Sequence, residues 1–207
     1  MDPVRLTRAQ RRDATRERLL AAARAVFAEK GYAAASIEDI AAAAGYSRGA
    51  FYSNFRGKTE MLFELLRRDH DDMATALQRI AATPAGSVDD AQRALLACWR
   101  SHAARDASRL MWLEAQLQAA RDPQFRAQFS ALLRERQARA TACIDAFVAH
   151  AGVSPALPAP VLALGLAALR DGVHACRAAD ARGTVDTLAE AVLAGFLTHA
   201  VFGRTRG

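Results

Sequence analysis

The chain has 207 residues, of which 50 are alanine, 26 arginine and only 2 lysine, with a formal net charge of +6. Alanine at this frequency favours helix and is depleted in strands, which argues against an all-β fold, and no uncharged run of about 20 apolar residues is present to span a bilayer. The basic first residues lack the apolar segment of a secretory signal. Three widely spaced cysteines, Cys98, Cys143 and Cys176, form neither a disulfide framework nor a metal motif, so free thiols in a reducing, cytoplasmic compartment are expected.

In chain order, Asp13 to Lys30 reads as a helix with Leu19, Leu20, Ala23, Val26 and Phe27 at helical spacing, ended by Lys30-Gly31. Ser36, with Asp39 three residues on, reads as a variant capping box for a short helix through Ala44. Gly45 stops that helix, and Ser47 caps another over 48–54. Gly57 breaks the chain again, and Thr59 opens a long helix to about Ala82, roughly 36 Å in length. Thr83-Pro84-Ala85-Gly86 is a turn. Ser87 caps a helix ending near His102 to Arg105, and another runs from about Ala107 to Ala120. Asp122-Pro123 opens a helix to about His150. Ala151 to Pro160, with three prolines, is a loop. Two last helices, 161–179 and 184–202, are separated by Arg182-Gly183, with Thr184 as cap.

Charge is uneven along this array. Residues 1–58 hold 11 Lys/Arg against 6 Asp/Glu, net +5, while residues 59–207 hold 17 against 16, net +1. Such asymmetry fits a polyanion-binding N-terminal module on a near-neutral body. Charge alone allows either nucleic acid or an acidic membrane surface, although the alanines of 21–25 give the first helix a poor apolar face for a bilayer. Within 36–58, two short helices around a glycine turn make a helix-turn-helix, the unit whose second helix enters the major groove.

The string ARAVFAEKGYAAASIEDIAAAAGYSRGAFYSNFRGKTEML adds specificity. Phe27, Lys30-Gly31-Tyr32, Ser36-Ile37, Ile40-Ala41, Ala44-Gly45-Tyr46-Ser47, Gly49, Phe51-Tyr52, Phe55, Lys58 and Leu62 fall without gaps in a pattern over about 13–63. That pattern resembles the DNA-binding domain of the TetR family of bacterial transcriptional regulators. The resemblance implies an all-α, nine-helix fold. A three-helix DNA-binding domain, 1–58, would precede a six-helix domain, 59–207, for ligand binding and dimerisation. Ser36, Tyr52 and Lys58 take the places of phosphate contacts. Ser47, Arg48 and Gly49 start the recognition helix, and Arg48 either reads guanine or contacts a phosphate. Tyr46 either packs on a thymine methyl or closes the turn. Ser53 and Asn54 stand where many relatives have bulkier Tyr and His. Arg8, Arg11, Arg12 and Arg16 are candidate arm contacts.

For the C-terminal domain the resemblance implies a homodimer through the last two helices, with Leu162, Leu166, Leu169, Val173, Leu188, Val192, Leu193, Phe196 and Leu197 as interface candidates. It also implies a pocket for a small, lipophilic effector, with Trp99, His102, Met111, Trp112, Gln116, Phe129, Cys143, Arg170 and His174 as candidate liners. The five histidines lack metal-ligand spacing, and no phosphate-binding loop or nucleophile constellation occurs, so no cofactor, metal or enzymatic activity is expected. The partners expected are a double-stranded DNA operator, the effector and a second copy of the chain, with no membrane. Repression relieved by effector is the primary expectation, with activation or constitutive DNA binding as alternatives.

Overall fold

The computed structural model describes residues 7–82, 88–103, 106–151, 153–180 and 185–201, and these form nine α-helices and no strand. They are α1 (Arg8–Ala34), α2 (Ile37–Ala43), α3 (Arg48–Tyr52), α4 (Lys58–Ala82), α5 (Val88–Ala103), α6 (Asp106–Arg121), α7 (Pro123–Ala151), α8 (Ala159–Ala179) and α9 (Val185–Phe196). The last continues into a π-helical turn, Leu197–Val201, where the sequence pattern predicts uniform helix. The expected caps Ser87 and Thr184 lie outside the described residues.

Local chemistry sets most boundaries. The first helix starts at Arg8, five residues before the expected Asp13, because Thr7 and Gln10 form a reciprocal capping box. Gly31 interrupts it as expected: its φ of 78° and ψ of 157° lie in a region open only to glycine. A last turn then runs to Ala34. Ser36 and Asp39 cap α2 as a reciprocal pair, and the Ser47 hydroxyl caps α3 by accepting the Ala50 N–H. Gly45, with φ of 72°, supplies the turn between them.

Packing divides the chain into two compact units. The first comprises residues through Arg68 together with Asp106–Asp122, and the second the remainder. This grouping adds α6 to the N-terminal helices because α6 packs on α1. The division at residue 58, by contrast, is one of expected function. In the first unit α2 also packs on α1 and α3 on α2. Its buried side chains include Leu19, Leu20, Phe27, Ile40, Phe51, Phe55, Met61, Leu62, Met111 and Trp112. Of the alanines 41–44 expected to let the helices approach, only Ala41 is buried; Ala42 and Ala43 face solvent. The buried residues of α2 are Ile40 and Ala41.

In the second unit α8 packs on α7 and α9, and α9 also on α5. Leu162, Leu193, Leu197 and Val201 form its core, flanked by Leu95, Leu96, Trp99, Ile144, Phe147 and Phe196. The π-helical turn is held from outside. Gln92 donates to the Thr198 hydroxyl at 3.1 Å, and the Ala156 N–H donates to the Ala200 carbonyl at 3.1 Å.

The two positive-φ glycines are expected to differ in tolerance. A Cβ at Gly45 would meet nothing within 4 Å, so Gly45→Ala carries only the backbone cost of about 1–2 kcal/mol. A Cβ at Gly31 would stand 2.6 Å from Glu114 Oε1, and moving that carboxylate breaks its bond from the Tyr32 N–H. Gly31→Ala should therefore lose roughly 1 kcal/mol more in chemical denaturation. Equal losses would deny Glu114 this part.

Candidate nucleic-acid interface and internal cavity

The helix α3 buries one side chain, Phe51, whose ring packs 5.9 Å from that of Phe55. Ser47, Arg48, Gly49 and Tyr52 are exposed around it. Arg48 leans over the Tyr52 ring, 5.5 Å from its centroid, and pairs with Glu38 at 2.7 Å. Both partners of that pair are well exposed, so it contributes little and can be exchanged for a phosphate or a base edge. Glu38 was not among the residues singled out from the sequence, yet its carboxylate is the nearest competitor for Arg48. Gly49 is exposed, and a Cβ there would touch only Ser47 Oγ, at 3.7 Å. The fold itself does not demand glycine at this position, whereas a surface approaching the backbone would.

Several candidate contacts prove to be committed within the first unit. The Lys58 ammonium donates to the carbonyls of Tyr32, Ala33 and Ala35 at 2.9, 3.0 and 3.0 Å. All three of its N–H bonds are used, and they clasp α4 to the end of α1, in competition with the expected phosphate contact. Burial pushes its pKa below the usual lysine range, opposed by the charge of Glu114. The Ser36 hydroxyl donates to Asp39 Oδ2 at 2.7 Å while accepting the Asp39 N–H. Asp39 also pairs with Lys30 at 2.8 Å, and these contacts, Lys30 first, hold its carboxyl well below the usual range. The start of α2 thus already faces an anion of its own, and the phosphate expected at Ser36 meets a carboxylate there.

Asn54 turns inward: its amide donates to the Ala50 carbonyl at 2.8 Å, which removes it from the expected base contacts. Ser53 stays exposed but donates to the Gly49 carbonyl at 2.9 Å. The Tyr46 hydroxyl lies 3.4 Å from Thr15 Oγ1, so the tyrosine closes the turn against α1. Thr15 and then Arg18 hold that hydroxyl below its ordinary pKa. Arg16 is not an arm residue. It donates to the Asn54 carbonyl at 2.7 Å and lies 4.0 Å over the Phe55 ring, fixing the loop after α3 to α1. Arg8, Arg11, Arg12 and Arg18 are exposed. The apolar side of α1 is buried within the unit, and no helix among the described residues is long and apolar enough to cross a membrane.

A cavity of about 140 Å³ lies inside the second unit. Of the expected liners, Trp99, Cys143 and Arg170 line it. Met111, Trp112 and Gln116 do not: they sit on α6, in the first unit. Phe129 is buried against Phe125 instead, with ring centroids 6.2 Å apart, and half-buried His174 lies one turn beyond Arg170. The His102 side chain lies outside the described residues. The residues missed are His70 and Arg136, both buried and both on the wall. Each was detectable as a polar group within an apolar stripe: His70 four residues after Leu66, Arg136 four after Leu132. Burial, followed by the charges of Arg136, Arg170 and Arg139, pushes the His70 pKa down to about 4. Burial pushes Arg136 down to about 10.

The interface candidates also divide. Leu162, Leu193 and Leu197 are core residues of the unit, and Leu166 and Phe196 are partly buried and pack against that core. Leu169 and Val173 are half-buried. Exposed on these two helices are Leu188 and Val192 of α9 and Val161 and Leu164 of α8, of which Leu164 is 63% and Leu188 65% exposed. Positions 161, 164, 168 and 172 share one side of α8 at helical spacing, opposite Leu162 and Leu166.

Residues 19–65 match the family model described as bacterial regulatory proteins, tetR family. The chain is similar to the transcriptional regulator CymR of Pseudomonas putida, with 48% identity over 62 residues, 30% of each protein. It is similar to the transcriptional activator FasR of Mycolicibacterium smegmatis, with 35% identity over 82 residues, 40% of this chain and 36% of FasR. The chain thus spans about a third of the length of these curated relatives. Among solved structures, it resembles a transcriptional regulator from Saccharomonospora viridis in complex with choline, with 25% identity, coverage of 93% of this chain and 100% of that one, and a TM-score of 0.65.

Two substitutions separate fold from recognition. Gly49→Ala should raise stability by roughly 0.5–1 kcal/mol through helix propensity while weakening duplex DNA binding; a variant that binds as well as the parent would remove the close-approach argument. Lys58→Ala should cost about 1–3 kcal/mol of stability and leave the salt dependence of DNA affinity unchanged wherever the variant stays folded. A slope lower by about one phosphate would restore Lys58 as a direct contact.

Proposed function

Since the chain belongs to the tetR family of bacterial regulatory proteins, we propose that it regulates transcription as a homodimer on a palindromic double-stranded operator, from which a small apolar effector releases it. The observation that carries the DNA reading is the exposure of Ser47, Arg48, Gly49 and Tyr52 on a five-residue helix anchored by Phe51 alone. A helix that adds so little to its own core is there to be presented. Arg48 is the candidate base reader, with Tyr52 and Ser47 supplying hydroxyls to the backbone and Gly49 allowing close approach. The excess of basic residues in 1–58 supports the same partner.

The affinity problem and the exposed apolar side chains of α8 and α9 support the dimer. One small head gives weak binding, and two heads on half-sites one helical turn apart, about 34–36 Å, or a multiple of it, solve that. The exposed Val161 and Leu164 of α8 and Leu188 and Val192 of α9 are apolar side chains that a second copy can cover. The effector reading rests on the cavity of the second unit. One continuous helix, α4, carries both Lys58, which clasps the end of α1, and His70, which lines the cavity. Effector binding is proposed to act through that helix. Its influence on DNA affinity can only equal the effector's preference between the two states.

Repression is the primary reading. Activation is the second, because FasR, one of the similar proteins, is an activator. A reporter in a deletion strain separates them.

The test is selection of bound duplexes from a random pool, followed by sedimentation. The parent should enrich a palindrome and sediment as a dimer. Leu164→Glu should sediment as a folded monomer and lose the palindrome. A Leu164→Glu variant that remains dimeric, or a parent that enriches no sequence, would refute the respective half of the reading.

A further inference from the structure

His70, Arg136 and Arg170 reach the cavity wall from three helices, α4, α7 and α8. Among the described residues that wall carries two guanidinium groups and no carboxylate. Arg136 is 5% exposed and His70 8%. Asp171, beside the wall, accepts from Arg136 at 3.3 and 3.4 Å and from Arg170 at 3.1 and 3.2 Å. Arg139 adds a third nearby cation, paired with the exposed Asp71. The charges of these arginines help to keep the His70 imidazole neutral, so the potential at the ring is positive.

A neutral imidazole still carries one N–H and one acceptor nitrogen. Neither nitrogen of His70 finds a hydrogen-bond partner among the described residues, and neither does the Trp99 indole N–H elsewhere on the wall. Buried donors of this kind call for an acceptor. The rest of the wall is apolar, with Ile144, Phe147 and Leu197 among its members. The volume of about 140 Å³ is close to the roughly 150 Å³ that accommodates benzene.

We propose that the effector is a small monocarboxylate: one carboxylate, placed among His70, Arg136 and Arg170, on a body about the size of a benzene ring or a short branched chain. This rests on the cavity being the effector site. A carboxylate brings the acceptors that the buried donors need and the charge that the guanidinium groups attract, and the apolar wall takes the body. A neutral hydrocarbon would fill the volume but leave the imidazole unanswered. A cation would face the arginines directly.

The full chain is titrated at pH 7 by calorimetry with three acids, benzoate, phenylacetate and isovalerate, and with three neutral probes, benzamide, phenylacetamide and toluene. At least one acid should bind tenfold or more tightly than its amide. Arg170→Gln should abolish that preference without changing amide affinity. His70→Gln, which keeps a donor, should retain the preference, and this gives a second variant if Arg170→Gln does not fold. If the neutral probes bind as tightly as the acids, the ligand class is wrong and the cavity reading stands. If none of the six binds, both the class and the cavity reading are overturned.

Discussion

After Ala34 the chain turns into α2, and the last carbonyls of α1 are left without a helical N–H. A single ammonium answers three of them. Lys58 stands at the first position of α4, 4.8 Å over the Tyr32 ring, with its three N–H bonds on Tyr32, Ala33 and Ala35. The Tyr32 hydroxyl shares a hydrogen bond of 2.8 Å with Thr59, and its N–H donates to Glu114 on α6. Three helices of the first unit, α1, α4 and α6, thus meet at one residue and its neighbour. An arginine could not substitute here: its planar fork cannot converge three donors on one point. In a chain with 26 arginines and 2 lysines, the appearance of lysine at this position is a geometric choice. The presentation of α3 depends on the junction indirectly, because α3 packs on α2 and α2 on α1.

The elements that were legible in the sequence act over three or four residues. Ser36 with Asp39, Ser47 with Ala50, and the two positive-φ glycines are such cases, and each occurs where local chemistry placed it. The helix α3 and its exposed residues were legible for the same reason. The fates of Lys58, Ser36, Asn54 and Arg16 were not, because each depends on a partner competing for its hydrogen bonds. Residue type says that lysine can hold a phosphate; only the fold says that three carbonyls reach it first.

The second unit was harder for a related reason. α8 is apolar on two sides, with Leu162 and Leu166 on one and Val161 and Leu164 on the other, so periodicity cannot choose the buried side. The membership of α6 in the first unit is tertiary and left no local trace, which is why Met111 and Trp112 were placed near the wrong core. His70 and Arg136 did leave a trace, as polar groups in apolar stripes. Buried polar groups need answers, and a charged residue on an apolar helix face is worth following before the aromatic ones.

Because Phe51 is the only member of α3 in the core, the surrounding positions carry almost no folding constraint. If α3 reads the duplex as proposed, drift at Arg48, Tyr52 or Ser53 changes which duplex is favoured while the head remains intact. On that reading the same arrangement makes this head a scaffold for retargeting: its specificity is varied one exposed side chain at a time, with stability as a nearly independent coordinate.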